Sequence, residues 1–163
     1  MIVEHLKTIK PANVERMFAI GNTNGGGMSN YLAVHRGYFR GFGVAGSVIV
    51  VGNEPTRQTA PVAVIQIHGM KDKTCPYAGG LAPMGHLFYG AEKAAAIWAE
   101  NNGCESAPTQ SESGQGNRLL TWSDCEEGRT VRHYGIKEAG HGFSPQTEGG
   151  VDQLRWNFFK SIL

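Results

Sequence analysis

Residues Gly21-Asn22-Thr23-Asn24-Gly25 have the spacing of a nucleophile elbow, the sharp strand-to-helix turn written Gly-x-Ser-x-Gly, with threonine in the serine place. The central residue of an elbow has a strained backbone while its hydroxyl points out of the turn, so Gly21 and Gly25 meet a demand for small residues. A glycine-rich turn without chemistry fits the same residues. A phosphate loop fits less well because the Lys-Ser/Thr pair that completes it is missing. Thr23 is therefore a candidate nucleophile.

An acid and a histidine follow downstream, in the chain order nucleophile, acid, histidine. Asp72 comes after an apolar stretch that predicts a strand, and His141 lies between two glycines after another predicted strand. Each residue alone has an ordinary explanation, as a turn or cap for Asp72 and as a loop residue for His141. Together, each at the carboxyl end of a strand, they form a candidate triad with Thr23.

These side chains require strands that end at one edge of a sheet. Residues 42–51 and 62–67 are apolar and rich in β-branched side chains, which is typical of a parallel sheet covered on both faces. Apolar spacing predicts helices over 2–9, 29–35, 86–101 and 151–163, and further strands over 14–20, 119–122 and 130–136, the last two forming a hairpin around 123–128. Residues 107–117 are polar and predict an exposed loop. The alternation of strands and helices indicates a single α/β domain over residues 1–163.

Composition excludes several classes of function. The chain has 163 residues and a formal net charge of +1, so neither a nucleic acid nor an anionic membrane is an expected partner. No apolar run reaches the length of a membrane span, and the first ten residues lack the continuous apolar segment of a signal peptide. His5 and His86 have no carboxylate or thiol partners at metal-ligand spacing, and His133 is expected at the surface or half-buried. No metal and no cofactor are predicted.

With these motifs in place, the chain resembles the polyhydroxybutyrate depolymerase and feruloyl esterase group of the α/β-hydrolase family. The family pattern Gly-x-Ser-Asn-Gly-Gly is matched from Gly21 to Gly26, and its His-Gly-x-x-Asp by His68 to Asp72 with Pro-Tyr shortly after. Its Gly-His pair is matched at His141. The resemblance implies a mainly parallel sheet flanked by helices. It also implies a carboxylic-ester hydrolase that acts without a cofactor on small or polymer-derived esters, of hydroxyalkanoate or feruloyl type.

The resemblance also implies a role for each matched residue. Thr23 takes the nucleophile place, His141 that of the general base and acid, and Asp72 that of the carboxylate that orients the histidine. The backbone N–H of Asn24, directly after the nucleophile, takes the place of an oxyanion donor.

Cysteines and aromatic residues supply further expectations. The three cysteines allow at most one disulfide, and the resemblance implies that it joins Cys104 to Cys125, although two reduced thiols remain an alternative. A disulfide in this family suggests a secreted or periplasmic protein. Cys75 is expected in the wall of a pocket. Tyr77 and Phe143 are predicted to bind the substrate and, with Trp122, to line an acyl or aromatic pocket, although core residues are the commoner role for aromatics near strand ends.

Two departures from the family pattern affect the predicted function. A β-branched threonine in the elbow adds strain of about 1–3 kcal/mol, so turnover is expected to fall below that of a serine enzyme. A catalytically dead hydrolase fold that binds ligands or serves in an assembly is the alternative.

The second departure is that the family strands that precede the elbow are missing. Their absence predicts an exposed apolar edge over 14–20 and a homo-oligomer formed through this edge. It also predicts the loss of a second oxyanion donor. An incomplete fragment that needs another chain is a third interpretation.

Overall fold

A computed structural model of the protein describes residues 2–9, 13–104, 107–113, 116–142 and 149–163. The helices are α1 (Ile2–Leu6), α2 (Asn24–Arg36), α3 (Ala91–Asn101) and α4 (Val151–Lys160). The strands are β1 (Phe18–Asn22), β2 (Gly41–Ala45), β3 (Ala63–Gly69), β4 (Gly80–Leu81), β5 (Leu87–Phe88), β6 (Thr109–Ser113), β7 (Asn117–Trp122) and β8 (Val131–Ile136). Single 3₁₀ turns occupy Val14–Arg16 and Glu126–Gly128.

One sheet with the strand order β1-β2-β3-β8-β7-β6 forms the centre of the fold. Strands β1, β2, β3 and β8 run parallel, whereas β7 and β6 are antiparallel to their neighbours. Every residue of β2 and β3 is buried, as expected for strands covered on both faces. The predicted α/β class, with a mainly parallel sheet flanked by helices, is confirmed, and so is the β7–β8 hairpin.

Two apolar clusters lie on opposite faces of this sheet. Val64 belongs to the cluster that includes the alanines and Trp98 of α3, whereas its neighbours Ile65 and Ile67 belong to the cluster that includes Phe158 and Phe159 of α4. Alternate side chains of a strand point to opposite faces, so β3 contributes to both cores. None of the described helices is long and apolar enough to cross a membrane.

Several predicted boundaries are wrong, and local turns explain two of them. The amino-terminal half of the strand expected over 14–20 is a 3₁₀ turn, because the side chain of Asn13 accepts a hydrogen bond from the N–H of Glu15. The strand expected over 42–51 ends at Ala45, where Gly46 takes a φ of +59°. Helix α1 ends at Leu6 instead of continuing to residue 9.

Three further predictions are corrected by the tertiary contacts. Helix α2 begins at Asn24, directly after the elbow, instead of at residue 29. Helix α3 begins at Ala91, and the preceding stretch forms β5 against β4. The polar segment expected to be a loop over 107–117 contains β6, which pairs with β7 at the sheet edge, where a strand needs no apolar side chains.

A disulfide joins Cys104, just after α3, to Cys125 in the connection between β7 and β8, as the resemblance implied. It closes a loop with a sequence separation of 21 residues, and this loop contains β6 and β7. Cys75 is free and buried.

Candidate active site

Thr23, Asp72 and His141 all follow the carboxyl ends of parallel strands. Thr23 comes directly after β1, Asp72 shortly after β3 and His141 shortly after β8. Because β1, β2, β3 and β8 run in one direction, their carboxyl ends share one edge of the sheet. This edge is where open α/β sheets bind their ligands.

The backbone of Thr23 has the conformation expected at an elbow. Its φ is 53° and its ψ is −119°, which for a β-branched residue stores strain of about 1–3 kcal/mol. The N–H of Thr23 donates to the carbonyl of Ala45 at 2.9 Å, and the carbonyl of Thr23 accepts from the N–H of Gly27 at 3.0 Å. The elbow is thus bonded both to the end of β2 and to the first turn of α2.

The glycines around Thr23 have unequal roles. A Cβ atom on Gly21 would lie 2.1 Å from the backbone oxygen of Gly25, and one on Gly26 would lie 2.9 Å from Cβ of Ser47. A Cβ on Gly25 would meet nothing within 4 Å. Glycine is therefore needed at Gly21, where α2 turns back over β1, whereas the space around Gly25 does not require it.

Asn24 is the first residue of α2. The first four N–H groups of an α-helix have no acceptor within the helix, and the positive end of the helix dipole lies there. The N–H of Asn24 is therefore able to donate to a negative charge that develops beside Thr23.

The loops after β3 and β8 approach closely enough to join Asp72 to His141. Nδ1 of His141 lies 2.8 Å from Oδ2 of Asp72. A Cβ on Gly69 would lie 2.2 Å from the carbonyl oxygen of Gly140, so only glycine lets the two loops pass at this distance. The N–H of Lys71 donates to the carbonyl of Ala139 at 2.9 Å across the same gap.

Asp72 has a buried side chain that accepts several hydrogen bonds. Its Oδ1 accepts from the N–H of Thr74 at 2.8 Å and from that of Cys75 at 2.9 Å. Burial raises the pKa of Asp72, but the hydrogen bonds from His68, His141 and these two amides outweigh it and lower the pKa to about 2. Asp72 is therefore ionised at neutral pH.

The charge on Asp72 determines which nitrogen of His141 carries the proton. A carboxylate only accepts hydrogen bonds, so Nδ1 of His141 must be the donor, and Nε2 of the neutral ring is left as an acceptor. The His141 side chain is 25% exposed, so the described residues cover the imidazole only in part. The pair is able to take a proton at Nε2 and to stabilise the resulting imidazolium.

His68 is a completely buried neighbour of Asp72. Its Nε2 lies 2.8 Å from the carbonyl oxygen of Cys75 and 3.2 Å from Oδ2 of Asp72. Both atoms are acceptors, so Nε2 carries the proton and His68 stabilises the turn over 72–75. The position of His68 directly before a glycine at the end of a strand predicts a packed residue or a hydrogen-bond donor instead of a metal ligand, and its burial and its bond to Cys75 confirm this. The His-Gly-x-x-Asp spacing was the available signal.

A cavity of about 620 Å³ lies beside the elbow. Its walls are mostly apolar and are formed by Thr23, Asn24, Gly27, Met28, Tyr31, His35, Ser47, Val50, Val51, Gly52, Asn53, Cys75, Met84, His86 and Phe88. Because Thr23 and Cys75 share it, the cavity connects the elbow to the Asp72 turn. Burial, with a contribution from the charge on Asp72, raises the pKa of the Cys75 thiol to about 11. Cys75 is a wall residue and not a thiolate nucleophile.

The remaining predictions for the site concern a bond from Thr23 to His141 and the positions of Tyr77 and Phe143. Within the described part of the chain, no hydrogen bond joins the hydroxyl of Thr23 to His141. Tyr77 packs against a hydrophobic core, and its hydroxyl donates to Glu92 at 3.1 Å and lies 2.9 Å from Nε2 of His133. Its position supports an interior role. Phe143 lies outside the described residues.

The expectation for His133 is wrong, because this histidine is completely buried and neither at the surface nor half-buried. Burial lowers the pKa of His133 to about 3, and the ring is therefore neutral. Its Nδ1 lies 2.9 Å from Nε2 of Gln66, which also donates to the carbonyl of Ala91. Among the residues that the structure describes, no group of three or more His, Cys, Asp or Glu side chains is arranged to hold a metal ion.

Comparisons with known proteins find similar sequences among esterases. No protein-family model matches the chain. Feruloyl esterase B of Piromyces equi is 28% identical over 159 residues, which cover 91% of this chain and 28% of that protein. The chain is similar to feruloyl esterases. Probable feruloyl esterase C of Aspergillus terreus is 31% identical, and feruloyl esterase C of Emericella nidulans 30% identical, each over 147 residues that cover 87% of this chain and 48% of the relative. The chain therefore spans less than half the length of these esterases.

Proposed function

We propose that this chain hydrolyses carboxylic esters through Thr23, His141 and Asp72. The observation that carries the proposal is the bond between His141 and Asp72 at the sheet edge that also holds the strained elbow of Thr23. A buried carboxylate, a partly exposed imidazole and a hydroxyl in an elbow are the groups that acyl transfer requires. The similarity to feruloyl esterases supports an ester as the substrate.

In the proposed reaction, Nε2 of His141 takes the proton of the Thr23 hydroxyl as Oγ1 attacks the acyl carbon. The N–H of Asn24 donates to the oxyanion of the tetrahedral intermediate. His141 then returns the proton to the leaving alcohol, and the acyl group remains on Thr23. A water molecule then gives a proton to His141 and attacks the acyl carbon. His141 passes this proton to Oγ1 of Thr23 as the bond from Oγ1 to the acyl carbon breaks, which releases the acid and restores the Thr23 hydroxyl. Asp72 stabilises the charged imidazole in both halves.

We propose the apolar cavity beside Thr23 as the acyl site. Aromatic and sulfur-containing walls from Tyr31, Phe88 and Met28 suit a flat aromatic acid of the feruloyl type better than a charged acyl group. The names of the relatives support this substrate class. A short hydroxyalkanoate ester is the smaller substrate that the same cavity accommodates.

A binding protein without turnover is the second candidate function. It is favoured by the threonine at φ 53° and by the absence, over the described residues, of a hydrogen bond from its hydroxyl to His141. In an enzyme this bond forms when the substrate binds, since catalytic hydrogen bonds are often long in the free state.

Turnover of methyl ferulate and of 4-nitrophenyl acetate separates the two functions. We expect slow hydrolysis by the wild type, faster hydrolysis by Thr23→Ser, and loss of activity in His141→Ala. His5→Ala, which changes an exposed histidine of α1, serves as the matched control and keeps full activity. Activity only in Thr23→Ser supports the binding protein. The esterase proposal is contradicted if neither the wild type nor Thr23→Ser is active, or if activity survives in His141→Ala.

The disulfide and the sheet edge support two further proposals. Disulfides persist in oxidising compartments, so the Cys104–Cys125 bond supports a secreted or periplasmic location.

Over the described residues β1 is an edge strand, and Ile20 on it is 61% exposed. We propose that this edge pairs with a second copy of the chain.

A further inference from the structure

Arg155 of α4 is a buried cation on the face of the sheet that α4 covers. It is only 3% exposed. A Cβ added to Gly43 of β2 would lie 3.0 Å from Cγ of Arg155, so the aliphatic part of the side chain packs directly on this glycine. The stem therefore crosses β2 and carries the guanidinium to the end of β1.

The guanidinium bonds to the two residues directly before Thr23. Nη2 donates to the carbonyl of Gly21 at 3.1 Å and also to Oδ1 of Asn22. Nη1 donates to Oδ1 of Asp152, whose side chain is 89% exposed. These contacts join the last helix of the chain to the nucleophile elbow, 134 residues away in sequence.

This link restrains the two residues before Thr23, which the backbone bonds of Thr23 itself do not reach. A β-branched residue at positive φ keeps that conformation only when its surroundings fix it. The backbone bonds to Ala45 and Gly27 hold Thr23 itself. Arg155 fixes the preceding strand residues from the opposite side with a planar set of donors, and a lysine cannot reproduce that arrangement.

We propose that Arg155 is a positioning residue, which holds Thr23 in the conformation that its attack on the ester needs. The proposal rests on the esterase function proposed above. It assigns Arg155 no contact with the substrate, so its loss is expected to lower kcat and to leave KM nearly unchanged.

Arg155→Met tests the proposal because methionine keeps the apolar stem over Gly43 and removes every donor. Arg132→Met is the matched control, since the guanidinium of Arg132 lies 5.4 Å from the centre of the Phe158 ring on the same face. We expect kcat of Arg155→Met to fall about 10- to 100-fold, with KM within about twofold of the wild type. Arg155→Lys is expected to be intermediate. Arg132→Met is expected to keep its kcat even if it is less stable.

Amide hydrogen exchange gives a readout that does not need activity. The N–H of Thr23 is bonded to Ala45 across the elbow. We expect it to exchange about tenfold or more faster in Arg155→Met than in Arg132→Met, when both are compared well below their melting temperatures. If neither the wild type nor Thr23→Ser turns over an ester, the esterase proposal fails, and this exchange measurement still decides the role of Arg155.

Asn22→Ala provides a second variant, because Asn22 is exposed and its truncation is expected to disturb the fold less than a change at buried Arg155. It removes one acceptor of Arg155, so we expect a smaller fall in kcat than in Arg155→Met. The double variant is expected to match Arg155→Met instead of adding to it. Unchanged kcat and unchanged Thr23 exchange in Arg155→Met, or in Asn22→Ala if the arginine variant does not fold, would overturn the proposal.

Discussion

Nδ1 of His141 lies 2.8 Å from Oδ2 of Asp72, although 69 residues separate the two in the chain. The contact depends on Gly69, which lets the loop after β8 pass over the end of β3. It leaves Nε2 of His141 as the nitrogen without a proton, which is the basic one. The proposed chemistry depends on this tautomer.

Asp72→Asn tests the role of that tautomer. An amide keeps the size of the carboxylate but gives no negative charge and permits the wrong tautomer of His141, so we expect kcat to fall by about 10⁴-fold. Asp124→Asn, a change at an exposed carboxylate in the connection between β7 and β8, serves as the control. A fall in kcat of less than about tenfold in Asp72→Asn would contradict the assignment of Asp72 as the orienting carboxylate.

The low pKa of Asp72 also predicts how stability depends on pH. Hydrogen bonds hold the folded pKa at about 2, below the ordinary value of 3.8. The folded state therefore binds fewer protons, and the stabilisation from Asp72 is complete above pH 3.8 and is lost as the pH falls through about 2. Urea unfolding of the wild type and of Asp72→Asn should show a difference in stability that shrinks over this interval. A difference that stays constant with pH would contradict the prediction.

Two glycines of the elbow form a matched pair for stability measurements. In Gly21→Ala the new Cβ would lie 2.1 Å from the backbone oxygen of Gly25, so we expect destabilisation of about 1–3 kcal/mol or failure to fold. In Gly25→Ala the Cβ meets nothing within 4 Å, and the gain in helix propensity is expected to stabilise the protein by about 0.5–1 kcal/mol. Thermal unfolding of both variants checks the order, and a reversed order would contradict it.

The positions that the sequence predicted best are those where local pattern and tertiary fold agree. The buried strands β2 and β3 have mainly apolar sequences, and the elbow has glycines on both sides of Thr23. The sequence did not reveal β6, because its polar residues obtain their strand conformation from pairing with β7. Arg155 was also missed. Nothing in a helical pattern indicates that an arginine reaches across Gly43 to another element.

The proposed pairing of β1 edges predicts a dimer that one charge disrupts. Ile20 is 61% exposed on this edge, and Ile20→Lys places a charge where two strands would meet. Sedimentation velocity is expected to show a dimer for the wild type and a monomer for Ile20→Lys. Ile2→Lys, at a position that is 80% exposed on α1, is the control and should remain dimeric. A monomeric wild type would contradict the proposed pairing.

The most direct test of the account is whether an acyl group becomes attached to Thr23. The protein is mixed with 4-nitrophenyl acetate, quenched in acid and digested, and the peptides are measured by mass spectrometry. The account predicts an acetyl group on Thr23 that is absent from Thr23→Ala and from His141→Ala. An acetyl group on another residue with turnover intact in Thr23→Ala would contradict it.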